Sequence, residues 1–202
     1  GPHLPFNTDS VVATAVAART TALRVGTAVA LLPFHDPRRL AEDAAILDVI
    51  SGGRLVAGFP VGTSMDTNYC YGQIPALTRA KYAEAHELIM RAWAEDEPFA
   101  FDGKYQQLRY VNCWPKPIQK PHPPIVVGGN RPPALRRAAR WQGWHPMTLP
   151  PASMASRLPV IDAELEAQGR SRADDGFRVH ACLDLNLWSE PRDRPPKAPM
   201  HG

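Results

Sequence analysis

Short apolar runs alternate with amphipathic segments along most of this chain, and that alternation limits what it can fold into. Leu23–Leu32 (LRVGTAVALL), Arg54–Phe59 (RLVAGF), Ile125–Val127, Gly143-Trp144-His145 and Phe177–Trp188 (FRVHACLDLNLW) are each short and rich in apolar residues. Such runs suit strands buried on both faces, as in a parallel sheet. Between them lie segments with helical spacing. Asp9 or Ser10 caps VVATAVAART. Asp36-Pro37 opens RRLAEDAAILDVIS, with proline at the favoured first position, and Gly52-Gly53 closes it. A long helix from about Thr78 to Glu95 carries Tyr82, Ala85, Leu88, Ile89, Ala92 and Trp93 on one stripe. Further helices are predicted over PALRRAARW (133–141) and over residues 153 to 168, where Gly169 ends the second. Strands alternating with helices in this way mean βαβ units and a parallel sheet.

Two stretches interrupt the pattern. Residues 60 to 76 are loop-like, and residues 98 to 122 are irregular except for a hairpin at FAFDGKYQQL, where Asp102-Gly103 signals the turn. The end of the chain, from Ser189 to Gly202, is proline-rich and charged and is expected to be disordered, leaving residues 1 to 188 as the folded domain.

Composition excludes several functions. Twenty-three basic and 20 acidic residues give a net charge of +3, scattered rather than clustered, which offers nothing for nucleic acid. No apolar stretch is long enough to span a membrane, and the first residues lack the pattern of a signal peptide. Cys70, Cys113 and Cys182 are far apart and odd in number. They fit reduced thiols in a cytoplasmic protein, with neither a disulfide framework nor metal-ligand spacing.

Five pieces of text then occur in order: LRVGTAV, HDPRRLAEDAAILDVISGGRLVAGF, TRAKYAEAHELIMRAW, FDGKYQQLRYVNCWPKPIQKPHPPIVVGG, and GWHP after one more helix. Together they resemble the bacterial luciferase-like monooxygenase family, over residues 3 to about 150 and more loosely to 188. The resemblance implies a TIM-type (β/α) barrel with an insertion after the fourth strand, where 60–76 and 98–122 fall. On that register the visible strands are the third to the seventh, so the chain carries about five of eight βα units. It is expected to be an incomplete barrel.

The resemblance also implies a cofactor, reduced FMN or the deazaflavin coenzyme F(420), at the C-terminal ends of the strands. A flat ring needs an apolar slot, and its phosphate needs backbone N–H groups or a helix N-terminus. Gly128-Gly129-Asn130, where a strand hands over to a helix, is a candidate phosphate contact or a plain βα turn. Thr27, Ala28 and Val29 end the third-type strand, which in the family packs under the flavin; the alternative is an ordinary buried strand end. Gly62 and Thr63 follow the fourth-type strand. Some relatives carry an arginine near position 61 that reaches the phosphate; here Val61 stands there. His3 loosely matches a histidine found after the second strand in many relatives, where an imidazole can act as general acid or base. Beside it stands the bland reading of a terminal histidine. His86 reads as structural, His122 as a loop residue, and His145 as one that could face the site.

Three functions follow from the resemblance. The first is a monooxygenase that uses reduced FMN and oxygen on a small organic substrate, with the flavin reduced by a separate reductase. The second is a coenzyme F(420)-dependent oxidoreductase transferring hydride. The third is a truncated, non-catalytic family member. An open sheet edge further predicts self-association into a homo-oligomer.

Overall fold

The computed structural model describes residues 9–27, 30–62, 65–147 and 149–180. Within them a five-stranded parallel sheet is built from β1 (Val25–Thr27), β2 (Leu55–Gly58), β5 (Ile125–Gly128), β6 (Gly143–His145) and β7 (Arg178–Val179), neighbours in that order. The parallel strands lie side by side in chain order. A doubly wound sheet reverses its order at a switch point, whereas a barrel adds each strand beside the last. The architecture is therefore a partial (β/α) barrel, and among the described residues its sheet is not closed.

Helices cover one face. α1 (Asp9–Arg19) packs on α2 (Pro37–Ser51), and α2 packs on α4 (Thr78–Ala94), while α5 (Pro132–Ala138) lies against β5 and α7 (Leu158–Glu166). Alternate strand residues Val25, Leu55, Ala57, Ile125, Val127 and Trp144 join the buried core with the helices. The stripe on α4 is buried as its spacing predicts, from Tyr82 to Trp93. Single polar contacts fix the packing: the Trp93 indole N–H donates to Ala41 O (3.0 Å), and the Tyr82 hydroxyl to Phe59 O (3.2 Å). Arg54 gathers the end of α1, donating to Ala17 O (2.9 Å) and Thr20 O (2.8 Å).

The predicted punctuation of α2 is present. The Asp36 carboxylate accepts the Arg38 N–H (2.9 Å), Pro37 opens the helix, and Gly52 closes it at φ 65°. The predicted hairpin is β3 (Phe99–Asp102) with β4 (Gln107–Val111), closed by Gly103 N–H on Gln106 O (2.8 Å).

Elsewhere the boundaries move. The apolar run 23–32 is a strand only over Val25–Thr27; Leu32–Phe34 forms a 3₁₀ turn whose buried Leu32 and Pro33 are apolar because that turn packs on α4. The stretch 60–76 holds a short α3 (Met65–Cys70) and a 3₁₀ turn at Pro75–Leu77 rather than loop alone. The single helix expected over 153–168 is two, α6 (Pro151–Ala155) and α7. Pro159 cannot donate to a continuing helix but is tolerated in the first turn of a new one. Of the last predicted strand, Arg178–Val179 is formed; residues 181–188 and the tail from Ser189 lie outside the described residues.

Candidate active site

In a parallel barrel the C-terminal ends of all strands meet at one rim, and that rim is where such folds hold their ligands. Here it is built from the ends of β2, β5, β6 and β7. Gly26, Gly58, Gly128 and Gly143 alternate with the core residues Thr27, Ala57, Val127 and Trp144, so all four face away from the helices. The absence of side chains there is required by close packing. At the rim a Cβ on Gly128 would lie 3.1 Å from Pro60 Cβ; Gly143, at the start of β6 and so away from the rim, is closed in by Arg178 O (2.7 Å from an added Cβ) and Val126 Cγ1 (2.8 Å). The strand ends thus present flat backbone.

Two imidazoles stand on the same face. His145 ends β6 and His180 follows β7, with the His180 N–H bonded to Trp144 O (2.9 Å) and the rings 6.3 Å apart. Burial lowers both pKa values from the ordinary 6.5. The neighbouring His180 lowers His145 further, and Arg24 and Arg178 do the same to His180. Both rings are therefore neutral at pH 7, each able to donate one hydrogen bond and accept another. His145 was legible as a candidate in the sequence. His180 was not singled out, although the alternation Arg178-Val179-His180 places it on the inner face.

The turn after β5 is locked to the end of β6. Gly129 N–H reaches His145 O (3.3 Å), and the Trp144 indole donates to Gly129 O (2.7 Å). Asn130 Oδ1 accepts the Met147 N–H (3.0 Å), and Arg157 Nε donates to Asn130 O (3.0 Å). Gly129 sits at φ 123°, and a Cβ there would lie 2.8 Å from that of Ala134. The helix that follows offers few amides to an anion. Pro132 and Pro133 have no N–H, and Ala134 N–H is used on Arg131 O (2.8 Å).

The other expected residues divide into two groups. Thr27 faces the helix side with Val25, and its hydroxyl accepts the Gly58 N–H (3.2 Å). Gly62 is exposed, beside Thr78 at the start of α4. Val61 packs against the core. His3, Ala28, Val29 and Thr63 lie outside the described residues. His86 is buried on α4 among Phe59, Tyr82 and Trp141, remote from the strand-end glycines in sequence and facing the helix layer.

Comparison with known proteins gives a consistent result. The family model for luciferase-like monooxygenases matches residues 5–185. Protein y4wF of Sinorhizobium fredii is 33% identical over 171 residues, which are 84% of this chain and 48% of the relative. The 4-hydroxyprotoasukamycin monooxygenase of Streptomyces nodosus subsp. asukaensis is 30% identical over 174 residues, 85% of this chain and 46% of the relative. Among solved structures, monooxygenase RslO1 from Streptomyces bottropensis superposes with a TM-score of 0.72 at 29% identity, covering 81% of this chain and 50% of that one. The fold is shared with the oxygenating constituent of 3,6-diketocamphane monooxygenase of Pseudomonas putida, solved with FMN (TM-score 0.70, 20% identity, 80% of this chain and 49% of that one). It is shared too with the coenzyme F(420)-dependent tetrahydromethanopterin reductase of Methanopyrus kandleri (TM-score 0.68, 23% identity, 85% and 52%). The chain spans about half the length of the curated relatives it matches.

Proposed function

Since this chain belongs to the luciferase-like monooxygenase family, we propose that its strand ends form part of the cofactor site of a flavin-dependent monooxygenase that acts on a small organic substrate. The carrying observation is the glycine-lined rim. Gly26 and Gly58 face away from the helices near the ends of β1 and β2, and a Cβ on Gly26 would meet only Val56 O at 3.8 Å, which leaves room for a planar ring beside the backbone; at Gly128 Pro60 already packs close, 3.1 Å from an added Cβ. Reduced FMN, when bound, would supply the electrons for oxygen activation.

The chain's own groups then have distinct tasks. Gly26 and Gly58 admit the ring. Neutral His145 and His180 hold or move one proton at an imidazole nitrogen. Gly129 and Asn130 position the end of β6 by their bonds to His145 O and Met147. Pro132 and Pro133 leave the start of α5 poor in amides, so phosphate contact from this turn rests on the exposed Arg131 side chain. Thr27 supports the floor through Gly58 rather than touching the ligand. Ala28 and Val29 lie under the ring, Gly62 and Thr63 flank it, and His3 acts as a general acid or base, as the family resemblance implies. A separate reductase supplies the reduced flavin, and the protein self-associates.

Coenzyme F(420) is the second reading, favoured by structural neighbours of equal fold likeness that depend on it. One titration separates the two. FMN and coenzyme F(420) are added in turn to the folded chain and fluorescence is followed. Saturable quenching by FMN supports the monooxygenase, and preference for coenzyme F(420) supports hydride transfer. No binding of either overturns the cofactor site.

A further inference from the structure

We propose that the cleft between the start of α2, the middle of α4 and the β3–β4 turn is a second small-molecule site, built for a singly charged carboxylate on a flat apolar body. The cleft has a volume of about 370 Å³, within the range of ligand pockets. It shares no lining residue with the glycine rim or the histidine pair.

Its walls are mixed, with polar groups of His35, Asp36, Gln73 and Gln106 beside apolar and aromatic ones. Leu32 and Ala85 form buried surface. Phe34, stacked on Tyr71 with centroids 5.4 Å apart, and Tyr105 present rings to the space. Its charge comes from Lys81. The ammonium donates to the neutral Gln73 Oε1 (2.7 Å) and stands 5.9 Å from the Tyr105 centroid, and it makes no ion pair among the described residues.

The nearby carboxylates are occupied. Glu84, next along α4, accepts the N–H groups of Tyr105 (2.8 Å) and Gln106. Asp36 lines the cleft but is neutralised by Arg38 through two bonds, Nε to Oδ1 (3.0 Å) and a second nitrogen to Oδ2 (2.5 Å). The Lys81 ammonium, with that of Lys104 5.6 Å from the same Tyr105 ring, gives the cleft a positive edge beside aromatic rings, which matches a carboxylate carried on an aromatic body. A phosphate offers nothing to the aromatic walls, and the Tyr105 and Gln106 amides are already spent on Glu84.

The test is a titration of the full chain with benzoate, followed by amide chemical shifts. Benzamide and inorganic phosphate serve as controls, with and without saturating FMN. Saturable benzoate binding is expected to shift Phe34, Lys81 and Tyr105 and to persist in FMN. It should weaken by about tenfold or more in Lys81→Met and in Lys81→Gln, but not in Lys81→Arg. The two neutral variants guard against a folding defect in either. The proposal is overturned if benzoate does not saturate, if benzamide or phosphate binds as well, if a folded neutral variant binds undiminished, or if FMN displaces benzoate. FMN and benzoate report separately, so failure of one reading leaves the other standing.

Discussion

Asn130 holds Met147 by both backbone groups: its Oδ1 accepts the Met147 N–H at 3.0 Å and its Nδ2 donates to Met147 O at 3.4 Å. One side chain after β5 thereby sets the path of the chain after β6, on the rim where the cofactor is proposed to sit. Asn130→Ala should cost about 1 kcal/mol of stability, since the contacts are partly exposed. Its larger effect should be on ligand affinity, through a loosened 145–147 segment. Chemical denaturation paired with the FMN titration checks this; an Asn130→Ala protein that binds FMN undiminished would show the clamp to be structural alone.

The histidine pair predicts coupled titration. His145 is held below the ordinary 6.5 by burial and then by His180. Its proton is taken up only as pH falls below 6.5, so a step needing the neutral pair persists above that value and fades below it. His180→Gln removes the neighbouring positive charge and should raise the His145 pKa. Imidazole carbon-bound proton shifts followed by NMR across pH 4 to 8 read both, and an unmoved His145 pKa would deny the coupling.

His86 predicts acid sensitivity of the fold. It is 9% exposed, its Nε2 has no hydrogen-bond partner among the described residues, and around it stand Phe59, Tyr82, Trp141, His122 and the Arg137 guanidinium. Burial first, then His122 and Arg137, pushes its pKa down from 6.5 to about 4. A depressed pKa means the unfolded chain binds the proton more readily. The stability associated with neutral His86 is complete above pH 6.5 and is lost as pH falls toward 4, by about 3 kcal/mol. Urea unfolding at pH 7, 5 and 4 should show that loss in the wild type and much less of it in His86→Leu.

Asp48 joins α2 to the segment before β5. Its buried carboxylate accepts the Gln119 backbone N–H (2.9 Å) and side-chain amide (2.6 Å), and that amide also reaches Leu55 O (2.9 Å). Asp48→Ala leaves the Gln119 backbone N–H without its acceptor and the side-chain amide with Leu55 O alone, and should cost about 2 kcal/mol. Asp48→Asn keeps one acceptor and should cost less. Thermal melts of the two variants rank them.

Much of this fold was legible because local signals agreed with the tertiary structure. The Asp36-Pro37 start and the Gly52 stop bound α2, the apolar stripe of α4 is its buried face, and Asp102-Gly103 turns the hairpin. What misled was apolar content without strand pairing. Leu32 and Pro33 are buried by α4 rather than by a neighbouring strand, so the run 23–32 overstates β1. Glu84's hold on the β3–β4 turn and the partners of Asp48 and Asn130 join segments distant along the chain, and no spacing rule reveals them. At the rim, the Gly-Gly at 128–129 was visible, but the consumption of its amides by β6 needed the fold.

Hydrogen exchange on the folded chain, with and without saturating FMN, tests the central claim most directly. Slowed exchange is expected at residues 58–62, 128–131, 145–147 and around His180, with α1 and the outer face of α2 unchanged. Binding that protects only the helix side, or no protection in a chain whose far-ultraviolet spectrum shows it folded, would contradict a cofactor site at these strand ends.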